Sequence, residues 1–284
     1  MSLNKHFFYL LAPALMTLSS CGHLLHLDRA QNNFSRGAEL ENQLKFDPQA
    51  NISASPSMYY TLAYAELGKA LKQKKRLSAD NVLGTAYTVK ALCEWKLKLY
   101  ERAEGSADAA LEELKEVYKT GIRLPRDKAL MEALPHLMEI EKVKDSLYAF
   151  HQAPLPFEAG KGHYLHFIYD PAANKMARLE KAISEISKVQ ASVAGNEEVS
   201  AYFVMAQLAA LKTWSDALDD LLTCIAEDAS LEGNTRKEAR NWQKAQGNEF
   251  LEVKEKELLD RLRTLIPTER GQKLADYWAE LIGG

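Results

Sequence analysis

The 284 residues predict an all-α protein. Apolar residues recur three and four positions apart along almost every segment, as one face of a helix requires. Scarcely any stretch alternates apolar and polar as a half-buried strand would. Pro154, Pro156, Gly160 and Gly162 gather in a single long break rather than punctuating many short elements.

The elements follow in order. Tyr60, Tyr64, Leu67 and Leu71 form one apolar stripe, with Ser57 just ahead of it as a cap. A second helix follows Ser78 or Asp80 and carries Tyr87, Ala91 and Trp95. A third runs from Glu101 to Lys119, rich in Ala and Glu, and Gly121 stands where a helix would end. Three helices with connections this short must lie antiparallel, side by side. Pro125 opens the next, which spaces Leu130, Leu134, Leu137, Ile140 and Leu147 and extends to about Phe150. After the irregular stretch 153–170, Met176, Leu179, Ile183, Ile186 and Val189 make a stripe that ends near Gly195. A tight helical pair, 197–211 and 214–226, precedes a long charged helix over about 235–266 and a short last one over 267–282.

Charge excludes some functions. With 36 basic and 39 acidic residues the chain carries a net −3. A chain so near balance exerts no long-range attraction on nucleic acid or anionic headgroups, so neither is expected as its main partner. The densest basic cluster, Lys72, Lys74, Lys75 and Arg76, falls at an expected helix end, where cations suit the dipole.

The first residues carry a different signal. An apolar run from Phe7 to Leu18, too short to span a bilayer as a helix, leads into Leu18-Ser19-Ser20-Cys21-Gly22. An aliphatic residue three places before a cysteine, with small residues between, resembles the cleavage box of bacterial lipoproteins. That resemblance implies a signal peptide over 1–20 and Cys21 as the acylated (palmitate-bearing) residue, followed by a lipidated tether over 21–33 and a helical domain over 34–284. Gly22 stands where an aspartate would favour inner-membrane retention. The implied location is the cell envelope, in the outer membrane facing the periplasm. Cys93 and Cys224 remain, and both lie among apolar neighbours, where cysteine acts as a small hydrophobe.

Within the helical domain, residues 87–111 resemble a tetratricopeptide repeat. Tyr87, Ala91, Tyr100, Ala103, Ala107, Ala110 and Leu111 take that family's aromatic and small positions. The pattern departs at Glu94, where a large apolar residue is usual. Residues 201–225, with Trp214 at the turn, give a second partial match, and Ala30, Phe34 and Gly37 a fragment of a third. The resemblance implies a TPR-like α-solenoid, with an irregular helical bundle as the plainer alternative. Stacked hairpins of this kind present a concave interaction surface.

No catalytic constellation stands out: there is no G-x-S-x-G elbow and neither Cys93 nor Cys224 lies near a histidine in sequence. The candidate binding residues are therefore those of the long break, His163, Tyr164, His166, Phe167 and Tyr169, because long irregular connections are often functional. No metal site or cofactor is expected from them. The reading that follows is a lipid-anchored scaffold that docks another envelope protein or peptide. Its rival is a small-ligand-binding lipoprotein, serving a transporter, with a pocket under the 153–170 segment. An enzyme is not expected.

Overall fold

The computed structural model describes residues 22–46, 49–152, 163–227, 229, 233, 234, 236, 237, 240 and 247–283. Among them the chain is all-α, and it divides into two compact units, Met1–Leu134 and Pro135–Gly284.

The first unit begins with α1 (Gly22–Phe46). His23, Leu27, Ala30, Gly37 and Leu40 are its buried residues, spaced as one helix face. Residues 22–33, expected within the tether, are helical and packed, because their apolar period continues unbroken into Phe34 and Gly37. Helix α2 (Pro56–Ala70) runs antiparallel to α1. Ser55, not Ser57, caps it, with Oγ accepting from the Met58 amide at 3.3 Å and Pro56 in the first turn. A 3₁₀ turn, Leu71–Gln73, leads into the short α3 (Lys74–Ala79). Helices α4 (Leu83–Lys96) and α5 (Tyr100–Lys119) form the second antiparallel hairpin. Packing of α2 on α4 joins the two hairpins.

Two of these turns share one device. The Val82 amide donates to the Leu77 carbonyl and the Leu99 amide to the Glu94 carbonyl, each closing a helix end around a left-handed residue, Asn81 (φ 59°) and Lys98 (φ 60°). Helix α5 ends at Thr120, with Gly121 at φ 90° just beyond, as its sequence position predicts.

One cluster joins Leu27 and Ala30 of α1, Ala63, Leu67 and Ala70 of α2, Leu77 of α3, and Leu83, Ala86, Val89 and Cys93 of α4, with Tyr64 and Tyr87 packed against it. Tyr60 and Trp95 are buried as well. The aromatic stripe of the first helices is thus mostly core rather than groove lining. Gly37 is where α1 meets α2 most closely: a β-carbon there would lie 2.7 Å from Tyr60 Cε1 and 3.2 Å from the Pro56 carbonyl. Gly37→Ala is expected to cost about 1–3 kcal/mol, the penalty for overpacking a closed contact, read as a lowered urea midpoint. An unchanged midpoint would show that the two helices part freely.

Helix α6 (Pro125–Gln152) crosses from the first unit into the second and contains Pro135, which denies the Met131 carbonyl its intrahelical donor. The second unit continues with α7 (His163–Ser192), α8 (Glu197–Glu227), α9 (Gly247–Leu265) and α10 (Glu269–Gly283). Two expectations need correction here. The pair 197–211 and 214–226 is one uninterrupted helix, since no glycine or proline breaks it; the Thr213 hydroxyl is satisfied on the Ala209 carbonyl. Residues 163–170, expected in an irregular loop, are helical and continue through Pro171 into α7.

Candidate functional site

Cys21 and residues 153–162 lie outside the described residues. His163, Tyr164, His166, Phe167 and Tyr169 belong to the first two turns of α7. Their side chains also lie outside the described set. Among the described residues no group of three His, Cys, Asp or Glu side chains is placed to hold a metal. No helix there is long and apolar enough to cross a membrane.

The best-defined candidate surface lies at the start of α1, next to Cys21 in the sequence. His23 is 3% exposed, and its Nε2 lies 2.6 Å from Asp80 Oδ2. The first turn of α1 is thereby pinned to the end of α3. One turn on, His26 Nδ1 lies 2.7 Å from Glu66 Oε2, and Glu66 also accepts from Lys69. Lys69 first, and His26 second, hold the Glu66 carboxyl below the usual glutamate range. At the other end of α1, Glu41 accepts from Tyr60 (2.6 Å) and from Lys96 (2.8 Å). Polar contacts to α2, α3 and α4 thus fix the helix along its length.

Beside this anchored end runs the basic turn. Lys72, Lys74, Lys75 and Arg76 are all exposed, and the turn lines an open depression of about 550 Å³. A β-carbon on Gly22 would lie 3.9 Å from Gln73 Nε2, so the turn touches the first residue of α1. Leu24 and Leu25 of the same helical turn are 36% and 49% exposed. Sequence reasoning missed this juxtaposition by treating 21–33 as spacer. The signal was present in the spacing of His23, Leu27, Ala30, Phe34 and Gly37.

A second polar cluster is internal. Glu94 is fully buried, its carboxylate accepting from Lys90 Nζ and from Ser106 Oγ, both at 2.6 Å; Lys90 also donates to Ser106 at 2.6 Å. The Tyr64 ring lies 5.9 Å from the same ammonium. A serine beside a lysine invites comparison with serine–lysine nucleophile pairs, but that chemistry needs a neutral amine as base. A neutral Lys90 would leave the Glu94 charge buried and unpaired. Ser106, moreover, is 5% exposed. The cluster ties α4 to α5.

The thiol of Cys93, one residue away, is free and buried, its pKa pushed up to about 12 by desolvation and then by Glu94. The Cys224 side chain is outside the described set. In the second unit, Gln190, Ser200 and Gln207 are buried in the seam of α7 and α8. There Gln207 Nε2 donates to Gln190 Oε1 at 3.0 Å, and Ser187 Oγ to Gln207 Oε1 at 2.7 Å.

No protein-family model matches the chain, and no curated protein or solved structure matches it.

Proposed function

We propose that the chain is a bacterial envelope lipoprotein, acylated at Cys21 and facing the periplasm from the outer membrane, whose helical hairpins dock another envelope protein or peptide. The observation that carries the reading is Leu18-Ser19-Ser20-Cys21-Gly22. Support for docking comes from the surface of α2, where Met58 and Leu62, one turn apart, are 46% and 44% exposed. Two large apolar side chains on one exposed helix face suit a partner better than water.

The test follows acylation and docking in one strain. Grown with labelled palmitate, the wild type is expected to carry label and to accumulate as a larger precursor when the lipoprotein signal peptidase is inhibited. Cys21→Ala is expected to lose all label. A photo-crosslinking residue at position 62 is expected to trap one envelope protein. Absence of label from the wild type would sink the anchor, and absence of any adduct at 62 with the anchor intact would remove α2 as the docking face.

A further inference from the structure

If Cys21 carries the acyl chains, as proposed above, they leave the protein one peptide bond before a packed helix. A free tether over 21–33 would let the domain drift about 20 Å from the bilayer. That exceeds the Debye length of about 8 Å at physiological salt, so surface charges near the tether would be screened from the headgroups. Helix α1 instead begins at Gly22 and is held by the His23–Asp80 and His26–Glu66 contacts. Whatever lies around Gly22 is therefore kept at the membrane.

What lies there is the basic turn. Residues 66–80 hold five cations and two carboxylates in a chain whose net charge is −3. Both carboxylates are engaged, Asp80 with His23 and Glu66 with Lys69 and His26. Lys72, Lys74, Lys75 and Arg76 are all exposed; Arg76 Nη1 donates to the neutral Gln73 side-chain amide at 3.1 Å, and Lys74 Nζ sits 5.4 Å from the centre of the Tyr87 ring. Overall charge balance hides this segregation.

We propose that the basic turn, Lys72, Lys74, Lys75 and Arg76, beside the start of α1, docks on the anionic phospholipid bilayer that holds the anchor. The cations meet headgroup phosphates. The domain then stands on the membrane in one orientation, with the opposite end of α4 directed away.

The experiment adds full-length protein to preformed vesicles of phosphatidylcholine alone, or of phosphatidylglycerol and phosphatidylcholine in a one-to-two mixture. A membrane-impermeant reagent acylates exposed lysines, and mass spectrometry reads the rate at each. Lys72, Lys74 and Lys75 are expected to react about fivefold more slowly on the anionic vesicles, the change that one cation's attraction to an anionic surface brings. Lys98, at the far end of α4, should react equally on both. Lys74→Glu with Lys75→Glu should return Lys72 to its rate on neutral vesicles.

Because the attachment is common to both vesicles, the difference between them reports docking however the chain is held. The intact mass reports separately whether Cys21 is acylated. Equal rates on the two vesicles would overturn the proposal. So would slow labelling of the three lysines in intact cells without slowing on anionic vesicles, which would name an acidic protein surface as the occupant.

Discussion

Glu94→Ala is expected to lower stability by about 3 kcal/mol. Removing one member of a buried ion pair strands the other, at a cost of about 3–5 kcal/mol. The lower end applies because the Lys90 side chain keeps 25% of its exposure and reaches water when its partner is lost. A total stability of about 5–15 kcal/mol makes this a large fraction. With a urea slope of about 1–3 kcal/mol per molar, the midpoint should fall by about 1–3 M. The triple change Lys90→Met, Glu94→Leu and Ser106→Ala removes charge and hydroxyl together and leaves nothing orphaned. It is expected to be neutral or stabilising by up to about 4 kcal/mol. The two variants separate a pair that supports the α4–α5 hairpin by its net energy from one that merely punishes its own disruption. A loss within about 0.5 kcal/mol for Glu94→Ala would place the carboxylate outside any structural role.

This hairpin shows how far the sequence was legible. The small residues Ala91, Ala103, Ala107 and Ala110 mark a close helix crossing, and all four are buried. Helical period and end signals located most elements, because Pro125, Gly121 and the alanine spacing act locally. Glu94 was visible only as a departure from the repeat pattern. Its partners are Lys90, one turn back, and Ser106 on the next helix, and the second of these pairings exists only once α4 and α5 fold together.

The errors have the same origin. Nothing local distinguishes a spacer after a lipid anchor from a helix whose buried face is completed by α2, and the contacts His23–Asp80 and His26–Glu66 bridge 57 and 40 residues. Trp214 at a repeat turn suggests a break at 211–214, yet neither Lys212 nor Thr213 is a residue that ends a helix, and the helix runs through them. The basic turn against Gly22 depends on that misread spacer. Its four cations were plain in the sequence; their position beside the start of α1 was not.

The second large effect separates apolar from polar packing between α7 and α8. Among the described residues Phe203 is the bulkiest fully buried side chain, while Gln207, one turn further along α8, is 1% exposed and hydrogen-bonded. Phe203→Ala removes most of an aromatic ring from a closed interior and is expected to cost about 3–5 kcal/mol. Gln207→Leu leaves Gln190 Oε1 without its donor, whereas Ser187 Oγ keeps the Ile183 carbonyl at 3.0 Å. One orphaned acceptor costs about 1–3 kcal/mol, part of which the leucine's own burial offsets. The magnitudes therefore assign the energy of the seam to Phe203 and leave the glutamine pair to fix how α7 and α8 align. In urea unfolding followed by circular dichroism, Phe203→Ala should lower the midpoint well beyond Gln207→Leu. Equal shifts would reverse the assignment and make the buried amide pair the principal tie between the two helices.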